Sequence, residues 1–289
     1  MVTGATPPVT GQISLALGGG GVRGGAHIGV LRVLEREGVR IAAIAGTSIG
    51  GMVGALYLAG NNLDEMENAA AAFNRKRLFR HGRSESRNSM LGLKGLTEYL
   101  HESLGEQRFE DLPAPLAMTA TDLLTGQEVV LRSGKLVNAV LATIAFPGIF
   151  PTRPYGEWEL VDGAVTNPVP VALARELAPG LPVVGVPLSG KPSPQRRISG
   201  STDFAGVSFL KFLSRLRWVQ AFSVFNRSFS ITRRHLDQIR MDIEKPDLLV
   251  YPEVGGIGIV DRSDTRELAR RGEQAMQEAM PQLRAVLGG

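Results

Sequence analysis

The chain has 289 residues, of which 43% are hydrophobic and 21% charged, a balance typical of a globular protein with a buried core. It contains no cysteine, which excludes disulfides, thiolate catalysis and cysteine-based metal sites. A formal net charge of +4 is too small to predict a nucleic-acid partner. No metal-ligand spacing links the four histidines, so we expect neither a metal nor a cofactor; they are His27, His81, His101 and His235.

Residues 1–11, MVTGATPPVTG, predict a loose tail. This start shows no basic stretch followed by an apolar run, so no signal peptide is expected. No apolar run is long and charge-free enough to predict a membrane span. We therefore expect a cytoplasmic protein, with peripheral membrane contact as an open alternative. The sequence carries no pattern that specifies an oligomeric state.

Two strand–helix pairs open the chain. A buried strand, ISLAL, is followed by the helical pattern AHIGVLRVLEREG, which ends at Gly38. A second buried strand, IAAIA, is followed by the helical pattern IGGMVGALYLAG. This order predicts a parallel βαβ unit with a right-handed crossover.

The remaining chain continues the alternation of helices and strands. Helices are predicted in NNLDEMENAAAAF, where Asn62 is the N-cap, and in LTEYLHESL, KLVNAVLATIAF, Val171–Leu177 and the terminal ARRGEQAMQEAMPQLRAVL. Strands are predicted in LAMTATDL, EVVLRSG, ELV, LPVVGVPL and DLLVYPEV. We expect one α/β domain over residues 12–289, with a mostly parallel central sheet and helices on both faces.

Two segments are candidates for a lid or for lipid contact. Residues 75–92 begin with the basic run RKRLFRHGRSESR, although most charge runs are merely solvated. Residues 190–230 begin with a loop rich in Pro, Gly, Ser and Arg and continue into an apolar, basic helical segment. Its polar residues recur every three positions and make no clean amphipathic face. A buried helix or an oligomer contact therefore remains an equal alternative.

A glycine loop, GGGGVRGG at residues 18–25, directly follows the first strand. Its backbone N–H groups could converge on an anion, such as the oxyanion of a tetrahedral intermediate. Gly19, Gly21 and Gly24 also match the dinucleotide-binding fingerprint, but the second strand ends without the acidic residue that this fingerprint requires. A tight turn without a ligand is the third interpretation.

The stretch GTSIGG places Ser48 at the turn between the second strand and the next helix. Gly46, Thr47, Ser48, Ile49 and Gly50 match G-x-S-x-G, the nucleophile elbow, although a serine N-cap would give the same pattern. Parallel neighbouring strands would bring this turn and the glycine loop to the same edge of the sheet. Together the two motifs predict a nucleophile beside an oxyanion hole.

Two residues are candidates for the base that takes the proton of Ser48. Asp162 follows ELV, and Gly163 predicts a turn that exposes its carboxylate, although a lone Asp-Gly is usually an ordinary turn. The order Ser48, Asp162, His235 also matches the triad of α/β-hydrolases. In that fold, however, several elements precede the oxyanion loop, and here hardly any chain does. His235 lies in ITRRHLDQIR, which we interpret as a solvated helix face, and we therefore predict Asp162.

Several segments resemble the patatin-like phospholipases. These are GGGGVRGGAHIGVL, GTSIGG, FEDLPAPLAMTATDLLTGQEVV, AFPGIFP and VDGAVTNPVP, in the order found in that family. The C-terminal DLLVYPEVGGIGIVDRSDTRELARRGEQAM is similar to bacterial members. The resemblance implies serine esterases that cleave acyl chains from phospholipids or simpler esters and need no metal. It implies a Ser48–Asp162 dyad without histidine. It implies an oxyanion loop of Gly19, Gly20, Gly21, Val22, Arg23 and Gly24.

The leading functional hypothesis is an acyl-ester hydrolase with a lipid or ester substrate. An acyltransferase that uses the same site, and a non-catalytic nucleotide- or lipid-binding module, remain alternatives. Arg23 could either anchor the glycine loop or bind a lipid phosphate. Because an ordinary aspartate is a weak base for a hydroxyl, we expect Asp162 to be buried and its pKa raised.

Overall fold

The computed structural model describes residues 11–72, 94–191, 209–259, 261 and 263–288, with the backbone alone for residues 209–223. The predicted tail at residues 1–11 and the candidate segment 75–92 therefore lie outside the described residues, apart from residue 11. The loop part of the segment 190–230 also lies outside them from residue 192 onward.

In the described ranges, eight β-strands alternate with helices, as the hydrophobic periodicity predicts. The strands are β1 (Gln12–Leu17), β2 (Arg40–Thr47), β3 (Leu116–Asp122), β4 (Glu128–Leu131), β5 (Arg153–Tyr155), β6 (Trp158–Asp162), β7 (Val183–Val186) and β8 (Leu248–Leu249). The helices are α1 (Gly25–Arg36), α2 (Ile49–Leu58), α3 (Leu63–Ala72), α4 (Lys94–Leu104), α5 (Leu136–Thr143), α6 (Val171–Leu177), α7 (Phe209–Glu244) and α8 (Thr265–Gly288). Short 3-10 turns occur at Gly21–Gly24, Phe109–Asp111 and Gly163–Val165.

All eight strands belong to one sheet, in the order β5-β6-β3-β2-β1-β7-β8, with β4 paired to β3. The pairs β1–β2, β1–β7, β2–β3 and β7–β8 are parallel, whereas β4, β5 and β6 join by antiparallel pairing. The predicted α/β domain with a mostly parallel central sheet is therefore confirmed, with the antiparallel strands grouped at one end.

One edge of β3 is shared end to end by β2 and β6. β2 pairs with β3 as far as Thr119, and β6 pairs from Ala120 onward. β4 overlaps both pairings along β3, so it must occupy the opposite edge. Because β2 and β6 run toward each other on the same edge, their last residues, Thr47 and Asp162, face consecutive residues of β3.

Helices cover both faces of the sheet, as predicted. On one face Leu15 and Leu17 of β1 join a large core with residues of α1, α2, α4, α5 and α8. On the other face Ala16, Ala45 and Ala117 contribute to a smaller core with α6 and Met241 of α7. Alternate residues of β1 thus point to opposite faces, and the alanines leave room for α6.

Some elements differ from the sequence-based prediction. The predicted last strand DLLVYPEV is reduced to Leu248–Leu249. Its partner β7 is only four residues long and is followed at once by Pro187, so few pairing groups remain. The hairpin of β5 and β6, which turns at Gly156, was predicted only as the strand-like ELV, because its strands are short and one contains Pro154. Within the described residues, every helix is too short or too polar to cross a bilayer.

Helices α1 and α8 pack with their backbones in close approach. A side chain at Gly29 of α1 would overlap the carbonyl oxygen of Ala269, and one at Gly272 of α8 would overlap that of Ala26. These reciprocal glycines fix the position of α1, which begins directly after the glycine loop.

We predict that Gly272→Ala destabilises the fold by about 1–3 kcal/mol, because the added methyl group meets backbone that can move only if the two helices separate. Urea unfolding measures the difference. The control is Gln274→Ala, an exposed position on the same helix, which should change stability by less than about 0.5 kcal/mol. Equal stability of the two variants would contradict the close packing of α1 and α8.

Candidate active site

Ser48 lies between β2 and α2 with a strained backbone. Its φ of 54° and ψ of −125° fall in a region that residues other than glycine rarely adopt. The neighbouring glycines allow the tight turn, because a side chain at Gly50 would overlap the carbonyl oxygen of Leu17. This conformation places the hydroxyl of Ser48 at the carboxyl edge of the parallel strands.

Two threonines hold the strained turn. The backbone N–H of Ser48 donates to Thr143 Oγ1 at 2.8 Å, and the Thr143 hydroxyl donates to the carbonyl oxygen of Thr119 at 2.6 Å. Both threonines are fully buried. The hydroxyl of Thr143 therefore ties the turn directly to β3. Sequence reasoning missed Thr143, although a threonine among the apolar residues of the pattern LVNAVLATIAF was a signal of a buried polar role.

A hydrogen bond joins Ser48 to Asp162. The Ser48 hydroxyl donates to Asp162 Oδ2 at 2.6 Å, and the N–H of Ala164 donates to Oδ1 at 2.8 Å. The backbone N–H of Asp162 donates to the carbonyl oxygen of Ala145 at 3.0 Å. Both carboxylate oxygens are thus fixed. Gly163 is required in the turn because a side chain there would overlap the Thr119 carbonyl.

Burial raises the pKa of Asp162 to about 6, even though the Ser48 hydroxyl, the Ala164 N–H and the charge of Arg233 act in the opposite direction. The side chain is only 1% exposed. A carboxylate with this pKa remains ionised at neutral pH and is a stronger base than an ordinary aspartate. The expectation of a buried aspartate with a raised pKa is confirmed.

The glycine loop passes beside Ser48, since a side chain at Gly19 would lie 3.3 Å from Ser48 Cβ. Several of its N–H groups are already used: Gly19 donates to Pro168, Val22 to Ile259 and Arg23 to Gly20, all at the carbonyl oxygen. In the part of the chain that the structure describes, the N–H groups of Gly20 and Gly21 donate to no protein acceptor. Those two groups remain available to a ligand, together with the first turn of α2.

Arg23 binds the loop to its surroundings. Its Nε donates to the carbonyl oxygen of Gly20 at 3.1 Å, and its Nη1 donates to that of Leu188 at 2.8 Å. The side chain is buried, which lowers its pKa to about 9, with the charge of Arg233 acting in the same direction. Of the two roles considered for Arg23, these contacts match the loop anchor.

The described histidines do not contact Ser48. His27 is fully buried, and its Nε2 bonds to the carbonyl oxygen of Gly18 at 2.8 Å. Burial lowers its pKa to about 4, so it is neutral at physiological pH and Nε2 is the donor. His101 and His235 are exposed on α4 and α7, and His81 lies outside the described residues.

The segment ITRRHLDQIR is helical, as predicted, but it is not a wholly solvated face. His235 is exposed, whereas Arg233 and Asp237 are buried. Helix α7 packs this side against the site, so its charge pattern alone was misleading. Across the described ranges, no group of three or more His, Asp or Glu side chains could hold a metal ion.

Comparison with known proteins identifies the family. The family model "Patatin-like phospholipase" matches residues 15–175, more than half of the chain. The chain belongs to the patatin-like phospholipase family. The matched range includes the glycine loop, the Ser48 turn and Asp162.

Curated relatives in the family share part of their length with this chain. An "uncharacterized NTE family protein" of Mycobacterium tuberculosis is 36% identical over 172 residues, which are 59% of this chain and 47% of the relative. "Patatin-like phospholipase domain-containing protein 6" of Homo sapiens is 31% identical over 177 residues, which are 57% of this chain and 12% of that protein. The chain therefore spans about half the length, or less, of these relatives.

A solved structure matches the fold. The crystal structure of VipD from Legionella pneumophila superimposes with a TM-score of 0.50 at 12% identity, and the match covers 96% of this chain and 67% of VipD. At this identity the likeness concerns the fold alone.

We predict that Thr143→Val impairs both stability and the Ser48 site. The variant removes the acceptor of the Ser48 N–H, and an unpaired buried donor costs about 1–3 kcal/mol. Urea unfolding should detect this loss, and labelling of Ser48 by an organophosphonate should slow. Thr143→Ser, which retains the hydroxyl, is the matched control and should stay close to the wild type in labelling. A Thr143→Val variant that labels at the wild-type rate would contradict the supporting role.

Proposed function

We propose that the protein is a serine acyl-ester hydrolase that cleaves fatty-acyl esters of phospholipids or simpler lipid esters. The observation that carries the proposal is the 2.6 Å hydrogen bond from the Ser48 hydroxyl to buried Asp162. Membership of the patatin-like phospholipase family supports it. The human relative is named for a phospholipase domain, which agrees with a lipid substrate.

In the acylation step, Ser48 Oγ attacks the ester carbonyl carbon while Asp162 Oδ2 accepts the hydroxyl proton. The C–O bond to the alcohol then breaks, and Asp162 returns its proton to the leaving oxygen. The bond from the Ala164 N–H to Oδ1 keeps the carboxylate oriented, so Oδ2 stays directed at the serine. The direct contact leaves no position for a histidine between base and nucleophile.

The negative charge of the tetrahedral intermediate requires donors that are already in place. The N–H groups of Gly20 and Gly21 suit this role, because they lie in the loop beside Ser48 and their neighbours' N–H groups are already bonded. The N-terminal turn of α2 adds positive potential at the same point. The contacts of Arg23 with Gly20 and Leu188 hold the loop in this geometry.

In the deacylation step, a water molecule attacks the acyl-serine carbonyl. Asp162 accepts the proton of the water and passes it to Ser48 Oγ as the fatty acid leaves. Each step uses the same carboxylate once as base and once as acid. A pKa of about 6 is suited to both directions of proton transfer near neutral pH.

We predict that Ser48→Ala reduces hydrolysis of p-nitrophenyl esters and long-chain phospholipids by about 10⁴-fold or more, because the covalent step is lost. Labelling by an organophosphonate should disappear as well. Ser133→Ala, an exposed serine away from the site, is the control and should behave as the wild type. Retention of activity and labelling in Ser48→Ala would refute the assignment.

We predict that kcat/KM rises with pH through an apparent pKa of about 6 and is level above it. Below that pH Asp162 is protonated and cannot accept the serine proton, so the acidic limb should follow the titration of one group. A pH profile on a soluble ester measures it. Asp162→Asn should remain folded and be nearly inactive at every pH, whereas His235→Ala should keep the wild-type profile. Loss of the acidic limb in His235→Ala would favour the triad instead.

A further inference from the structure

Arg233 is a buried cation near the Ser48–Asp162 pair. It belongs to α7 and is 6% exposed, although arginine is almost never buried without a partner. Its positive charge acts on Asp162, on Arg23 and on Asp237, so it lies within a few side chains of the site. A buried guanidinium in this position is expected to bind an acceptor or an anion.

The described residues supply no partner for this guanidinium. Among them, Arg233 forms no ion pair and donates no hydrogen bond. Even Asp237, one turn further along the same helix, is not paired with it. The described side-chain atoms that are both fully enclosed and unpaired include Asp237 Oδ1 but no nitrogen of Arg233. The guanidinium therefore faces space that a water molecule or a substrate oxygen can reach.

The carboxylates near Arg233 neutralise it only in part. Asp162 already accepts hydrogen bonds from Ser48 and Ala164, and Asp237 forms no ion pair with Arg233. Arg23 is also buried and, in the described part of the chain, is bonded only to backbone carbonyl oxygens. Both buried arginines, Arg233 and Arg23, act on the buried carboxylate of Asp237. Burying uncompensated positive charge is costly, and an anionic group of a ligand would offset that cost.

An aromatic contact holds α7 beside the dyad. Phe229 packs edge-on against Phe146, with ring centroids 5.0 Å apart. Phe146 follows Ala145, whose carbonyl oxygen accepts the backbone N–H of Asp162. Arg233 is four residues after Phe229 and therefore lies on the same side of the helix, toward the site. The position of the cation relative to Ser48 is thus set by packing.

We propose that Arg233 binds the phosphate of a glycerophospholipid substrate and thereby favours it over uncharged esters. The inference rests on the proposed hydrolase function and adds the residue that determines its specificity. In a glycerophospholipid the phosphate is a few bonds from the ester carbonyl, so an ester at Ser48 brings an anion to the neighbouring space. A guanidinium offers two parallel N–H donors to phosphate oxygens. Arg23 is less suited because its Nε and Nη1 already donate to the backbone carbonyl oxygens of Gly20 and Leu188.

The test compares Arg233→Gln with the wild type on phosphatidylcholine in mixed micelles and on p-nitrophenyl butyrate. Both are assayed at about pH 8.5, where Asp162 with a pKa of about 6 is ionised. We expect the ratio of kcat/KM for the phospholipid to that for the uncharged ester to fall roughly ten- to hundredfold, the range for a charged hydrogen bond. The loss should lie mainly in KM, and Arg233→Lys should recover part of it. An unchanged ratio would overturn the proposal.

The matched control is Arg234→Gln, which removes the same charge from the adjacent, half-buried position and should keep the wild-type ratio. Inorganic phosphate added to the p-nitrophenyl butyrate assay separates the sources of the anion. Weak competitive inhibition that Arg233→Gln abolishes, together with the fall in the ratio, supports the lipid head group. Inhibition without a fall in the ratio would assign the site to free phosphate and overturn the proposal. If the wild type hydrolysed neither substrate, the hydrolase function itself would fail, independently of Arg233.

Discussion

The shared edge of β3 is the constraint on which the site depends. β2 arrives along that edge in parallel and β6 arrives antiparallel, so Thr47 and Asp162 end opposite consecutive residues of one strand. Residues 114 positions apart in the chain are thereby brought within a 2.6 Å hydrogen bond. The antiparallel strands at one end of the sheet are therefore not an irregularity. They direct the carboxylate of Asp162 toward the turn that carries Ser48.

The strained backbone of Ser48 and the buried charge of Asp162 each cost free energy, and hydrogen bonds from the surrounding structure offset both costs. Ser48 has a positive φ, which for a residue with a side chain costs of the order of 1–3 kcal/mol. Its N–H is nevertheless bonded to Thr143, which is bonded to β3. Asp162 is deprived of water, but it accepts two hydrogen bonds that hold both oxygens. The carboxylate is thus strengthened as a base by burial while its orientation is kept by neutral donors.

Much of the fold and the central pair followed from the sequence. The buried strands ISLAL and IAAIA, the helices after them and the N-cap Asn62, which accepts from Asp64 N–H, are local patterns. Ser48 and Asp162 could be named because each lies in a glycine turn at a strand end. The pairing of β6 with the β2 edge of β3 could not be derived, because it depends on contacts between distant segments. Thr143 was missed for the same reason, since its partners come from two other elements.

Helix α7 shows why charge patterns mislead most at a site. ITRRHLDQIR predicts a solvated face, since four of its ten residues are arginine or aspartate. In the fold, two other residues of that helix decide its orientation: Phe229 packs on Phe146, and Met241 enters the core under α6. Residues 229, 233, 237 and 241 are spaced by four and share one side of the helix. Because Phe229 and Met241 face inward, Arg233 and Asp237 are buried with them. Burying these charges has a cost that packing of the apolar residues offsets. Buried charges of this kind beside the Ser48–Asp162 pair favour a role in binding a ligand over a role in stability.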